Sequence, residues 1–237
     1  MVQERSERTR GRLVEAGAVL FDRRGYAGAT LGEIAAAAGV TKGALYFHFA
    51  SKEELARAVS GQAERSLRSA CAELRAASSP LQGLIDAGYW LVDALGADPV
   101  IRAAFRLGRE DAGWQSAPTT SAPTTSGPAT AGPATADSRQ PAFADIRGFH
   151  SVWAGVVRDL LAGARRAGEL RDRAGGLGPE TLVVTAACGL EVVFADGCPA
   201  EERARRVGAL WDWLLPCLVR PGTVGGYRTR PSAPRPA

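Results

Sequence analysis

Apolar residues along this 237-residue chain recur at three- and four-residue intervals, and no segment keeps the two-residue alternation of a half-buried strand. The pattern predicts an all-α fold. Leu13, Ala16, Leu20 and Phe21 form the stripe of a first helix that Gly25 should end. Ile34, Ala35 and Ala38 share one face of a second, short helix, and Leu45 and Phe49 are the apolar side of a third. A long helix from Ser51 carries Leu55, Ala58, Val59, Leu67, Ala70 and Leu74 before Ser78-Ser79-Pro80 breaks it. Further helices follow over Pro80 to Gly96, Pro99 to Ala112, Phe143 to Gly168, Pro179 to Ala195 and Pro199 to Leu218. Their anchors include Leu84, Tyr89, Trp90, Ile101, Phe105, Phe149, Trp153, Val156, Leu190, Trp211 and Leu215.

The first turns of these helices carry specific capping signals. Thr30-Leu31-Gly32-Glu33 reads as a capping box, in which the threonine hydroxyl accepts from the N–H of Glu33 and the carboxylate reaches back to the N–H of Thr30. Gly39 stands where a left-handed residue must turn the chain before Val40, and Thr41 caps the next helix. Ser51-Lys52-Glu53-Glu54 is a second capping box. Two short helices joined by such a turn make a helix-turn-helix. The side of the second helix away from Leu45 and Phe49 shows Lys42, Gly43, Ala44, Tyr46, Phe47 and His48, a surface suited to DNA. Lysine donates to guanine or phosphate, Gly43 and Ala44 let base edges approach, and Tyr46, His48 and Lys52 donate to phosphate oxygens. Backbone N–H groups at the helix starts behind Thr30 and Thr41 attract phosphate as well. The same aromatic cluster also has a plain reading, as packing between helices.

These motifs resemble the DNA-binding domain of TetR-family transcriptional regulators. The resemblance runs through FDRRGY (Phe21–Tyr26), TLGEIA (Thr30–Ala35), VTKGALYFHF (Val40–Phe49) and SKEEL (Ser51–Leu55). Within that family, FDRRGY, GVTKGALYFHF (Gly39–Phe49), SKEEL and DPVIRAAFRL (Asp98–Leu107) are similar to the γ-butyrolactone receptors of antibiotic-producing bacteria. The resemblance implies a helix-turn-helix domain over residues 6–66 and a helical ligand-binding and dimerisation domain over 67–218. It also implies a homodimer built through the last two helices, a palindromic DNA operator, and release by a small lipophilic lactone. Trp153, in FHSVW, corresponds to the tryptophan that lines the family's lactone pocket. An indole offers a flat apolar wall and one N–H donor. Helix-face arguments add Trp90, Phe105, Val156, Thr185 and Cys188, with Thr185 a donor to a lactone oxygen.

Charge and composition refine this picture. The net charge is +4, and Arg220, Arg228, Arg230 and Arg235 of the tail account for all of it. A basic local face, not global charge, must therefore carry any DNA binding. Arg5, Arg8, Arg10 and Arg12 in the first helix are one source, as an arm along DNA or as a solvated helix start. The only lysines are Lys42 and Lys52. The four cysteines lack metal-ligand spacing and read as small buried hydrophobes, so neither a metal nor a cofactor is expected. No apolar run is long enough to span a bilayer and the first residues are charged, which predicts a cytoplasmic protein.

Residues 116–135 are four proline-bearing pentads, SAPTT, SAPTT, SGPAT and AGPAT. They predict a disordered loop over 115–141, and residues 219–237 read as a disordered basic tail. No nucleophile elbow, phosphate loop or metal signature is present in the sequence, which argues against an enzyme. Two other readings stay open beside the lactone-released repressor. One is a pseudo-receptor answering to an antibiotic or a biosynthetic intermediate, and the other is a protein-docking module acting through the pentads.

Overall fold

The computed structural model describes residues 2–116, 149–171 and 198–230, with residues 181–183, 185, 186 and 189 between them. The described residues are helical apart from short connections and one isolated bridge between Leu170 and Val219. The pentads, and the expected loop around them, lie outside the described residues.

Helix α1 spans Val2–Gly28, but Gly25 departs from helical geometry with φ 73° and ψ 177°. The break expected there is present, and one further turn leads into the next helix. Helices α2 (Leu31–Ala37) and α3 (Lys42–His48) follow. The capping box at Thr30 has both halves: Glu33 N–H donates to Thr30 Oγ1 at 3.3 Å, and Thr30 N–H to Glu33 Oε2 at 3.2 Å. Gly39 adopts φ 63°, and Val40 N–H returns to the carbonyl of Ala35, so α2 stops and the chain reverses. Ile34, Leu45 and Phe49 are fully buried, which locks the two short helices together.

Helix α4 (Lys52–Ala77) is capped by Ser51, whose hydroxyl accepts from Glu54 N–H. The reciprocal half of this box is displaced. Glu54 reaches past Ser51 and accepts from the N–H of Ala50 at 2.8 Å. Along α4 the buried stripe is Leu55, Val59, Ala63, Leu67 and Cys71, a repeat of four. Four residues turn the helix by about 400°, so the stripe drifts around the axis. Its start meets α1, where Gly17 lies against Leu55. Past the end of the stripe, the Leu74 carbonyl lies by Gly83 of the next helix, and Arg75 pairs with Asp159 of a later one.

Helices α5 (Pro80–Ala97), α6 (Pro99–Ser116), α7 (Phe149–Arg166) and α8 (Ala200–Leu218) complete the larger part. Helix α5 is apolar nearly all round because α4, α6, α7 and α8 surround it. The described part of α7 begins at Phe149, and residues 143–148 of the helix expected from Phe143 lie outside the described residues. The described residues of the expected Pro179 to Ala195 helix are helical.

The two parts are joined by polar contacts from α6 to α1. Arg102 Nε pairs with Asp22 at 2.8 Å, Arg106 Nη1 donates to the Asp22 carbonyl at 2.7 Å, and Glu110 Oε2 accepts from Tyr26 N–H at 2.8 Å. That last contact satisfies the donor freed by the break at Gly25.

Two expectations are corrected. The tail is ordered as far as residue 230: Arg171 N–H donates to Leu218 O, a short 3₁₀ turn covers Val224–Gly226, and the extended segment beyond it packs on α5 and α8. Positive charge in the tail alone suggests disorder, but Asp86 and Asp212 on the helices receive it. Of the cysteines, Cys71 is buried as expected, Cys198 is half-buried, and Cys217 is exposed, one turn from Trp213 on α8. Cys188 lies outside the described residues.

Candidate functional site

The helix-turn-helix presents one open face. Lys42, Gly43, Tyr46 and Phe47 are exposed on α3, while Ala44 and His48 are half-buried. Phe47 is 82% exposed and Tyr46 56%. Packing between helices does not explain aromatics so exposed; the Phe47 ring meets the edge of His48, its neighbour in sequence, at 5.2 Å between centroids. Lys42 lays its stem across Gly32, and its ammonium has no hydrogen-bond partner among the described residues. An exposed cation, a donor phenol and an apolar ring on a small-residue helix are the means of contacting phosphates, base edges and thymine methyls.

Other members of the expected set serve the frame. The Thr41 hydroxyl accepts from Ala44 N–H, and the Thr30 hydroxyl is engaged with Glu33 in both directions. Lys52 turns inward. Its ammonium donates to the carbonyls of Tyr26 and Ala29 at 2.8 and 3.0 Å and sits 4.4 Å from the centre of the Tyr26 ring. Burial pushes its pKa down. Lys52 therefore holds the last turn of α1 against α4 and does not point at a phosphate. Burial also raises the Tyr26 phenol to about 12, with the Glu53 carboxylate adding to the shift.

Two arginines of the expected arm have the same kind of duty. Arg12 donates to the carbonyls of Ala38 and Gly39 at the turn, and Arg10 lies over the Phe49 ring at 4.9 Å. Only a sequence reading that placed α1 across the turn would find them. Arg5 and Arg8 differ: Arg5 is exposed at the start of α1 and Arg8 one turn on.

In the larger part, Trp153 is 1% exposed and its Nε1–H has no partner among the described residues. It faces a slot between α5, α7, α8 and the helical stretch before α8, whose lining includes Leu84, Gly88, Leu91, Val183, Ala186, Val207, Leu210, Trp211 and Leu214. The slot is narrow, about 20 Å³, the space of roughly one water. Apart from the second indole, of Trp211, these other lining residues are aliphatic or glycine, so the unpaired indole N–H is the polar feature that stands out.

Four of the expected neighbours of Trp153 do not line this slot. Leu84, Gly88 and Leu91 occupy the stripe of α5 that faces it, and Trp90 is turned about 100° away, half-buried elsewhere. Phe105 packs against Phe149 and His150, each at 4.7 Å. Val156 is buried, but outside the slot's lining. Thr185 is exposed, because Val183 and Ala186 take the inward positions of that turn. The residues missed, Val207, Trp211 and Leu214 of α8, require the α5–α8 crossing to be known.

A capped helix-turn-helix with an open basic-aromatic helix, carried on a helical domain with an internal apolar slot, defines a DNA-binding regulator rather than an enzyme. The chain belongs to the family described as bacterial regulatory proteins, tetR family, whose model matches residues 13–59. It is similar over nearly its whole length to the A-factor receptor protein of Streptomyces griseus, with 29% identity over 94% of this chain and 68% of that one. Among solved structures, a γ-butyrolactone receptor described as ArpA-like shares 30% identity over 93% of this chain and 92% of its own, with a TM-score of 0.63. CprB from Streptomyces coelicolor, solved in complex with its biological operator sequence, shares 29% identity over 94% of each chain, with a TM-score of 0.66.

Proposed function

We propose that the protein is a homodimeric repressor that grips a palindromic operator through α3 and is released by a small lipophilic signal of the γ-butyrolactone or butenolide type. Its targets on this reading are genes of antibiotic or secondary metabolism. The observation that carries the ligand reading is the buried indole N–H of Trp153, without a partner among the described residues, in an apolar slot. A buried donor without a partner is costly, and a lactone carbonyl would satisfy it while its alkyl chain lies along leucine and valine side chains. The slot is too narrow to hold such a molecule as it stands. Ligand therefore binds a widened state, and selection of that state is what loosens the operator. At the DNA end, Lys42, Gly43, Tyr46 and Phe47 make the contacts, with Ala44 and His48 at their flanks. Thr30, Thr41 and Lys52 position the helix.

Dimerisation is assigned to the exposed face of α8. Trp213 is 82% exposed and Leu182, in the helical stretch that precedes α8, 51%. Apolar groups of that size at the surface call for a covering partner, and a two-fold copy would set two recognition helices one DNA turn apart. A second reading keeps the fold and exchanges the ligand. Two indoles, Trp153 and Trp211, line the slot, and such walls also suit the flat ring system of an antibiotic or a biosynthetic intermediate.

The test uses the full chain, DNA from upstream of its own gene, and a series of synthetic 2-acyl-γ-butyrolactones. Operator binding by fluorescence anisotropy should fall as lactone rises. Trp153→Phe should bind operator normally and need roughly tenfold more lactone, the worth of one hydrogen bond to a neutral acceptor. A lactone that binds the protein without changing operator affinity would refute the coupling.

A further inference from the structure

The segment after α8 has a built seat. Arg228 N–H donates to Gln82 Oε1 at 2.9 Å, and Gln82 Nε2 donates back to the Arg228 carbonyl at 3.2 Å and to Asp86 Oδ1 at 2.9 Å. One buried side-chain amide thus pairs with both backbone groups of a single residue, as a neighbouring strand would. The Tyr89 hydroxyl, also buried, donates to the Thr229 carbonyl. Arg230 pairs with Asp212 of α8 at 2.9 Å, Arg228 with Asp86 of α5 at 3.6 Å, and the Tyr227 hydroxyl reaches Glu169 at 3.4 Å.

The seat and the slot share the same two helices. On α5, Gln82, Asp86 and Tyr89 form one stripe, and Leu84, Gly88 and Leu91 form another. The two stripes are offset by two residues, about 200° around the axis. On α8, Gly208 and Asp212 meet the strap, while Val207, Trp211 and Leu214 line the slot. The α5–α8 crossing is therefore held on one edge by hydrogen bonds and ion pairs, and encloses the slot on the other edge.

We propose that residues 227–230 are a latch that ties α5 to α8 and keeps the slot narrow, so that detaching the strap lets α8 tilt and opens the site to an apolar guest. The inference rests on the slot being the ligand site, but its test reads the opening of the slot itself. Gly208 supplies a clean probe. A methyl group there would stand 3.0 Å from the Thr229 carbonyl, the Tyr89 hydroxyl and Arg230 Nη1, so Gly208→Ala crowds the strap, which must give by a few tenths of an ångström, without altering a residue that lines the slot. The double variant Arg228→Ala/Arg230→Ala removes the ion pairs and adds no bulk.

Both variants are compared with the parent by hydrogen exchange and by titration with the neutral apolar dye N-phenyl-1-naphthylamine. The parent should protect the Arg228 amide. Each variant should weaken the protection of the amide at position 228, exchange severalfold faster at residues 84–91 and 207–214, and bind the dye at least threefold more tightly. Energy transfer to the bound dye should fall when Trp153→Phe is added. Loss of strap protection with unchanged slot exchange and dye affinity would overturn the latch, leaving a plain anchor. An unprotected amide at position 228 in the parent, or one undisturbed in both variants, would overturn it too. If the latch behaves as proposed while no lactone moves the operator, the latch stands and the lactone reading falls. The opposite pair of results keeps the lactone reading and ends the latch.

Discussion

The recognition helix and the apolar slot solve opposite problems. Helix α3 is seven residues long, too short to persist alone, and it exposes the side chains it uses. It is held from outside by polar ties: the Thr41 cap, Arg12 on the turn, and Lys52 on the turn before α2. The slot sits among helices of 18 and 19 residues whose packing holds them, and the indole N–H of Trp153 within it has no partner among the described residues. On the proposed function, the surface that meets a large, fixed partner is stiffened in advance, and the cavity that accepts a guest keeps its donor unspent.

The largest effect should come from removing the packing that holds the recognition helix. Leu45→Ala empties a fully buried position and should cost about 2–5 kcal/mol of stability. Chemical denaturation checks this. The contrast between the frame and the reading face is sharpened by the two lysines. Lys52→Met should lower stability by roughly 1–3 kcal/mol, since two carbonyls lose their donor, and should leave the salt slope of operator binding intact. Lys42→Ala should leave stability unchanged, weaken operator binding by about 1–3 kcal/mol, and reduce that slope by roughly one. Equal slopes for the two variants would erase the distinction.

The smallest effect is with pH. Burial raises the Tyr89 phenol to about 12; Arg230 pulls against that shift, while Asp212, Asp86 and Asp93 reinforce it. Tyr26 is raised to about 12 as well. A phenol whose pKa is higher in the folded state favours folding fully below its ordinary value of 10. That contribution should drain away between pH 10 and about 12. Thermal melting followed across this window should show a shallower decline in Tyr89→Phe and in Tyr26→Phe than in the parent.

Legibility in the sequence follows the same division. The caps at Thr30, Thr41 and Ser51 and the turn at Gly39 are local signals, three or four residues wide, and each is where the spacing predicts it. The helix-turn-helix can be read because its geometry is written in neighbours. Lys52 escapes such a reading because a lysine at a helix start looks the same from the sequence whether its ammonium faces phosphate or a carbonyl 23 or 26 residues away. Resemblance singles out Trp153, but its neighbours depend on how α5 crosses α8, which no helix-face argument on one segment supplies. The tail is illegible for a related reason. Arg228 and Arg230 look solvated until Asp86 and Asp212, one far back in the chain and one on α8, are brought alongside.

The drifting stripe of α4 bears on how a movement in one half is felt in the other. Because α4 is one unbroken helix that packs on α1 and also on α5, α6 and α7, it joins the halves without a break, in the manner of an arm. At 1.5 Å per residue its 26 residues span about 39 Å, so a tilt of roughly 0.1 radian about one end carries the other by about 4 Å. A displacement of that size exceeds the reach over which a hydrogen bond to a base edge survives. On the proposed function, such an arm would act as a mechanical multiplier, turning small repacking around α5 and α7 into misregister in a groove of DNA.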